Sequence, residues 1–128
     1  MKLTRSTNYG IIAVGYIAQN EEGANSREIA KEYGIPLEYL LKILQDLVRA
    51  NVLTSKRGPG GGFKLAKSAN QINLLQVVEA LQGAIPEELR IDHIRSQDKV
   101  INKTQREFKK VIKQTKASLK KIKVSNLL

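Results

Sequence analysis

The clearest chemical signal in the sequence is a basic, glycine-rich run, Lys56-Arg57-Gly58-Pro59-Gly60-Gly61-Gly62. Glycines allow a backbone to approach a phosphate or enter a narrow groove, and the two basic side chains deliver positive charge there. The run lacks the Gly-Lys-Ser/Thr ending of a nucleotide-binding P-loop. Its residue types therefore indicate contact with a polyanion rather than phosphoryl transfer.

Residues suited to catalysis or metal binding are scarce. The chain has no cysteine and one histidine, His93. The absence of cysteine excludes disulfides, thiolate nucleophiles and cysteine-ligated zinc or iron–sulphur sites. A lone histidine is more often a surface or packed residue than a ligand or a base, and no paired carboxylates accompany a phosphate loop. We therefore expect no enzyme activity, no metal and no cofactor.

The net charge of +10 points to a polyanionic partner, either nucleic acid or an anionic membrane surface. Its distribution is uneven. Residues 1–94 carry 11 Lys and Arg against 10 Asp and Glu, whereas residues 95–128 carry 11 against 2. Because the excess lies away from the glycine-rich run, a high isoelectric point does not by itself establish DNA binding.

The sequence contains no membrane or export signal that we can identify. No apolar run approaches the roughly 18–20 residues that a membrane helix needs. The N-terminus lacks an apolar region followed by a small-residue cleavage site. We expect a cytoplasmic protein with no membrane partner.

Hydrophobic periodicity predicts three helices before the glycine-rich run. The first covers residues 7–20, and its apolar face comprises Tyr9, Ile12, Ala13, Tyr16 and Ile17. The second covers residues 26–33 and ends at Gly34, and the third runs from Pro36 to about Ala50. Strands at 52–55 and 63–66 flank the run. This order predicts a mainly α fold with a small β-hairpin wing, the winged helix-turn-helix.

The C-terminal part of the sequence predicts further helices and, on the last of them, a seam of apolar and small residues that pairs two copies of the chain. A fourth helix covers residues 74–81, a short helical segment runs from Glu87 to about Ile94, and a long helix covers residues 97–123. Apolar and small residues repeat in heptads along the long helix, which predicts a dimerisation helix. The expected dimer contacts are Ile101, Thr104, Phe108, Val111, Thr115 and Ile122. We divide the chain into a DNA-binding domain at 1–83, a linker with a short helix at 84–96, and a dimerisation segment at 97–128.

Lysines cover the remaining surface of the long helix. Three interpretations stay open: a solvated face, a second phosphate-contacting surface, or a site for an acidic partner protein or a membrane surface.

The third helix and the hairpin together form the expected DNA-reading surface. An α-helix fits the major groove of B-DNA, and the outward side chains of the third helix could reach base edges. The expected contacts are Glu38, Tyr39, Leu41, Lys42, Gln45, Arg49, Lys56, Arg57, Gly58, Gly60 and Gly61. Leu41 stands out because it is apolar: it either contacts a thymine methyl group or is partly packed.

Two segments resemble a known family. Tyr39-Leu40, followed by the stretch from Leu53 to Leu65 that contains Arg57-Gly58-Pro59-Gly60-Gly61-Gly62, is similar to the wing signature of the bacterial IscR–NsrR–CymR regulators, the Rrf-two family. The start of the chain, residues 72–81 and residues 125–128 are also similar. The resemblance implies a homodimer built on the long helix and an inverted-repeat operator of double-stranded DNA. It also implies a minor-groove role for Arg57 and base-reading roles for Glu38, Leu41 and Lys42.

The resemblance also identifies a departure. Cluster-binding members hold an iron–sulphur cluster with three cysteines between the post-wing helix and the dimer helix, and residues 83–97 contain none. The chain resembles a cluster-free member, whose effector or protein partner is unknown.

The sequence thus predicts a sequence-specific transcriptional regulator, a repressor, that acts as a dimer. The alternative is a protein-interaction module that binds an acidic partner through its lysine-rich C-terminal helix. A salt-dependent gel shift with competitor DNA distinguishes the two.

Overall fold

The computed structural model describes residues 1–91, 93–94 and 98–128. In this part of the chain the helices and strands are α1 (Arg5–Gln19), α2 (Ser26–Tyr33), α3 (Leu37–Arg49), β1 (Leu53–Lys56), β2 (Gly62–Leu65), α4 (Leu74–Gln82) and α5 (Lys99–Lys121). Single 3-10 turns cover Ala69–Gln71 and Val124–Leu127. The mainly α fold with a β-hairpin wing is confirmed.

Local sequence signals explain most helix ends. The Asn25 side chain accepts a hydrogen bond from the Glu28 N–H at 2.9 Å and caps α2. Gly34 ends α2 in the left-handed conformation, with φ of 65°. Asn73 and Gln76 form a reciprocal capping box at the start of α4. Because α2 ends at Gly34 and α3 begins at Leu37, the two helices are joined by a short turn, as in a helix-turn-helix.

One hydrophobic core joins the helices. Its fully buried members include Val14 and Ile17 of α1, Leu44 of α3 and Val77 of α4. Gly10 allows α1 and α4 to approach closely, because a Cβ there would lie 2.1 Å from the Leu81 Cδ1. The core therefore fixes α3 by its inner face and leaves the outer face of α3 open.

Several predicted boundaries move by one or two residues. Helix α1 begins at Arg5 because the Thr4 side chain accepts the Thr7 N–H at 3.1 Å. Ile12 is 43% exposed and does not belong to the buried face of α1, which instead contains Gly10. The hairpin pairs Leu53 with Leu65 and Lys56 with Gly62, so each strand starts and ends one residue off the prediction.

The predicted short helix from Glu87 onward is wrong for residues 87–91, which contain no helical turn. Side chains from the neighbouring helices bind the backbone here. The Gln105 amide accepts the Leu89 N–H at 2.8 Å and donates to the Leu89 carbonyl at 3.1 Å. The Ile85 N–H donates to the Glu79 carboxylate at 2.8 Å. The rest of the predicted helix includes Asp92, which lies outside the described residues.

The long C-terminal helix is shorter than predicted at both ends. Asp98 caps it by accepting the Ile101 N–H at 3.1 Å, and Gln97 lies outside the described residues. The helix ends at Lys121, so Ile122 lies beyond it rather than in its heptad pattern. The Ile122 carbonyl accepts the Leu74 N–H at 2.9 Å, and the chain then returns to the core, where Val124 is fully buried.

None of the helices in the described residues is long and apolar enough to cross a membrane.

Candidate nucleic-acid interface

The outer face of α3 carries a polar stripe. Its members follow one another at i, i+4, i+7 and i+11, so they share one side of the helix. They are all exposed: Glu38, Lys42, Gln45 and Arg49. The opposite side of α3 is buried through Leu40, Ile43, Leu44 and Leu47. Because this apolar side packs on the core, the polar stripe faces solvent.

Two other predicted residues of α3 are held partly by the protein itself. Tyr39 packs edge-on against Tyr9, with ring centroids 5.8 Å apart, and its hydroxyl forms a 2.6 Å hydrogen bond with the Ser6 hydroxyl. These contacts tie the start of α3 to α1. Leu41 is half-buried, so only part of this side chain is open to a ligand.

The wing loop requires its glycines. The Gly61 N–H donates to the Gly58 carbonyl at 2.8 Å, which closes a tight turn. A Cβ on Gly61 would lie 2.3 Å from the Lys56 carbonyl oxygen, closer than any side chain can approach. Gly58 has φ of 90°, a conformation that side chains rarely adopt. The turn leaves Lys56 and Arg57 exposed at its edge.

A bridge that the sequence analysis missed attaches the wing to the rest of the domain. Ala24, between α1 and α2, donates to the Phe63 carbonyl at 3.0 Å and accepts the Phe63 N–H at 2.8 Å. Gly62 allows this approach, because a Cβ there would lie 2.7 Å from the Ala24 oxygen. A single bridging residue has no periodicity, so no sequence pattern could reveal it.

The structure brings together four of the predicted contacts around one groove of about 360 Å³ between α3 and the wing. The groove is lined by Gln45, Val48, Arg49, Ser55, Lys56, Arg57, Gly62 and Phe63. Arg49 forms an ion pair with Asp46 of the same helix. Glu38, Tyr39, Leu41 and Lys42 do not line the groove; they lie toward the N-terminal end of α3. The groove therefore joins a polar helix face to a basic loop.

The described residues offer no metal-binding group of three or more His, Cys, Asp or Glu side chains. Burial raises the pKa of the Tyr16 hydroxyl, and the nearby carboxylates of Glu28 and Glu32 raise it further. A tyrosine hydroxyl is already protonated at neutral pH, so this shift does not change the charge of the domain.

A second, larger cleft of about 530 Å³ lies beside α5. Its lining includes Lys2, Ile85, Leu89, Phe108 and Val111. Two of these residues, Phe108 and Val111, belong to the predicted dimer seam, so a second copy of the chain on that seam would cover part of the cleft.

A helix-turn-helix whose second helix presents polar side chains beside a basic, glycine-rich hairpin defines a winged-helix DNA-binding protein. The family model described as Rrf2, iron-dependent transcriptional regulator, matches residues 3–128. The chain therefore belongs to the Rrf2 family of DNA-binding transcriptional regulators, as the resemblance of the wing predicted.

Relatives and solved structures agree with this assignment. The chain is 31% identical over its full length to the protein described as HTH-type transcriptional regulator BadM of Rhodopseudomonas palustris, and it spans 81% of that protein. It is 40% identical over 85 residues to protein aau3 of Rhizobium meliloti, of which it spans 55%. This match covers 66% of the chain.

Two solved structures show the same fold along nearly the whole chain. IscR of T. potens superposes with a TM-score of 0.78 at 25% identity, over 99% of this chain and 85% of the other. CymR, the global cysteine regulator of B. subtilis, superposes with a TM-score of 0.81 at 19% identity, over 99% of this chain and 95% of the other.

The iron named in the family description does not fit the residues of this chain. Iron–sulphur clusters are held mainly by cysteine thiolates, and the sequence has no cysteine. The segment after α4, where the resemblance places the cluster ligands, is instead bound to α5 through the Gln105 amide and Leu89. We therefore assign no role to iron in the chemistry of this protein.

Proposed function

We propose that the protein is a sequence-specific transcriptional repressor that acts as a homodimer on an inverted-repeat operator. The observation that carries this proposal is the groove that α3 and the wing share. A recognition helix that enters the major groove of DNA would bring the wing to the neighbouring phosphates and minor groove.

Each part of the surface has a separate task in this proposal. Glu38, Lys42 and Gln45 are long polar side chains at helical spacing, and they read base edges in the major groove. Arg57 extends from the thin wing loop into the minor groove, where the negative potential is strong. Tyr39 keeps α3 in place through its contacts with α1, and Lys56 contacts the phosphate backbone. Arg49 contacts a phosphate once it leaves Asp46.

The apolar surface of α5 supports the homodimer. Ile112 and Leu119 are partly buried against their own protomer, whereas Phe108 is 48% exposed and Val111 is 61% exposed. Around the helix axis Thr104 and Thr115 lie between Val111 and Phe108, on the same edge. A second copy of the chain would cover the open edge and hold two recognition helices at a fixed distance, which successive major-groove faces require to be about 34–36 Å.

The protein-interaction alternative is less well supported, because it assigns no role to the groove between α3 and the wing. The effector is unassigned in the proposal.

The experiment begins with recovery of genomic DNA on the purified protein, followed by sequencing, which identifies the operator. Wild-type protein and Arg57→Ala are then titrated with that operator in the presence of competitor DNA. We expect Arg57→Ala to weaken binding by about 5- to 150-fold, the value of one minor-groove arginine, with an unchanged melting curve.

Lys67→Ala is the control, because this exposed cation lies outside the groove between α3 and the wing and outside the cleft beside α5. It should bind the operator like the wild type. Equal operator affinity of Arg57→Ala and wild type would contradict the assignment of the wing, and binding that competitor DNA abolishes would contradict sequence specificity.

A further inference from the structure

Helix α5 carries a row of cations, interrupted at Ala117, which we call the basic stripe: Lys99, Lys103, Arg106, Lys110, Lys113, Lys120 and Lys121. With 3.6 residues in each turn, all seven lie within about 60° of the direction of Lys99 around the helix axis. All are exposed. The one acidic residue in α5, Glu107, lies outside this sector.

Of the four ion pairs that α5 makes within the described residues, three involve lysines beside the stripe. Lys116 is 23% exposed and lies 3.4 Å from the Glu87 carboxylate and 3.9 Å from that of Glu79. Lys109 lies 3.8 Å from Glu88. On the stripe, Lys110 pairs with Glu107 at 3.2 Å, and the other six cations have no ion pair among the described residues. Within the part of the chain that the structure describes, the carboxylates therefore leave the stripe largely uncompensated.

An ordinary solvated face does not need this arrangement. Like charges three or four residues apart repel and destabilise a helix, whereas interspersed charges of both signs keep a surface soluble without that cost. Between Lys99 and Lys113 five cations follow one another at spacings of four, three, four and three residues. Such a row favours a partner with a regular series of negative charges.

We propose that the basic stripe is a second DNA-binding surface, which holds the phosphate backbone of a duplex other than the operator segment bound by α3 and the wing. The proposal rests on the proposed function, because the first duplex is the operator. The stripe is about 33 Å long at 1.5 Å per residue, close to one turn of B-DNA.

The orientation of the stripe separates it from the first surface. Residues on the other side of α5, such as Gln105 and Ile112, are partly buried toward α4 and residues 84–91. Helix α4 also packs against α3. The stripe therefore faces away from α4, the helix that packs against α3, and is open to a second duplex.

The neighbouring apolar residues favour DNA over a membrane surface. A helix that lies on a membrane inserts an apolar face beside its cations. In α5 one apolar edge packs on the protomer, and the other edge, with Phe108 and Val111, is the proposed dimer seam. The sector of the stripe itself contains no large apolar side chain, so it offers a partner charge, and duplex DNA offers one charge per about 1.7 Å of axis.

The test uses the full chain and two charge-matched variants. Lys103→Gln/Lys113→Gln removes two cations from the stripe, and Lys31→Gln/Lys67→Gln removes two exposed cations elsewhere. Immobilised operator is loaded with each protein, and a labelled 20-base-pair duplex of random sequence is then added at several salt concentrations. Circular dichroism checks that each variant is folded.

We expect all three proteins to load on the operator, and wild type and control to capture the second duplex. For the second duplex, the plot of log K against the logarithm of the salt concentration should be less steep for the stripe variant than for wild type, by about 1.8 in slope. Each lost phosphate contact contributes about 0.9 to this difference. At 0.15 M salt this corresponds to a loss of roughly 30-fold in affinity for the second duplex.

Equal capture by the stripe variant and wild type would overturn the proposal, as would a wild type that captures no second duplex. Tighter binding of polyglutamate or of phosphatidylglycerol vesicles than of the random duplex, lost in the stripe variant, would also overturn it. If no operator exists, direct titration with the random duplex replaces the capture step. In that titration, a weaker salt dependence of the stripe variant than of wild type would support DNA binding by the stripe, even though the proposed function had failed.

Discussion

Phe108→Glu should separate the protomers without unfolding them. Phe108 is 48% exposed in the protomer and is absent from the hydrophobic core. Aromatic side chains bury about 150–250 Å² when covered completely, so the exposed part corresponds to about 100 Å². At about 25 cal/mol per Å², covering it stabilises the dimer by about 2.5 kcal/mol per copy, or about 5 kcal/mol for two copies.

The dimer dissociation constant should therefore rise by about three to four orders of magnitude. Size-exclusion chromatography with light scattering measures the masses across the micromolar range, where we expect a wild-type dimer and a variant monomer. Far-ultraviolet circular dichroism should show equal helix content. Operator affinity should also fall when the dimer dissociates, because a monomer has one recognition helix and reads only one half-site.

Gln114→Glu is the control, because it adds the same charge to an exposed position on another side of α5. It should remain a dimer. A wild-type monomer at micromolar concentration would refute the reasoning, as would a Phe108→Glu dimer of unchanged affinity. A variant that loses its helix content would show that Phe108 acts within the protomer instead.

Three further predictions concern the wing, a turn and the metal content. Gly61→Ala should displace the wing, because the new Cβ would lie 2.3 Å from the Lys56 oxygen and 2.7 Å from the Gly58 oxygen. Titration should show an operator affinity at least about 5-fold lower than that of wild type, and unchanged affinity would contradict this prediction. Asn51 has φ of 61°, so Asn51→Val should lower the free energy of unfolding in urea by about 1–2 kcal/mol, whereas Asn51→Gly should not. Protein purified without oxygen should be colourless, and stoichiometric iron and sulphide by elemental analysis would contradict this expectation.

The wing and the helix-turn-helix were predictable because short-range chemistry specifies them. Four glycines and a proline within residues 58–62 predict a loop there, whatever the rest of the chain does, and only Gly62 joins a strand. Gly34 and Pro36 mark the turn between α2 and α3 in the same local way. The polar stripe of α3 follows from its periodicity, so Gln45 and Arg49 could be assigned to one face from the sequence alone. Their contacts with DNA remain predictions.

Tertiary structure decided the features that depend on distant partners. Pro86 and the carboxylates of Glu87 and Glu88 are typical of a helix start. The Gln105 side chain, 16 residues beyond Leu89, nevertheless binds the backbone that a helix would have used. Ile122 continues a heptad pattern, yet its carbonyl pairs with Leu74 and the helix stops before it. The Ala24–Phe63 bridge and the tie from Tyr39 to Ser6 join residues far apart in sequence. Sequence periodicity reports which face of an element is apolar; it does not report which distant group will satisfy a particular backbone hydrogen bond.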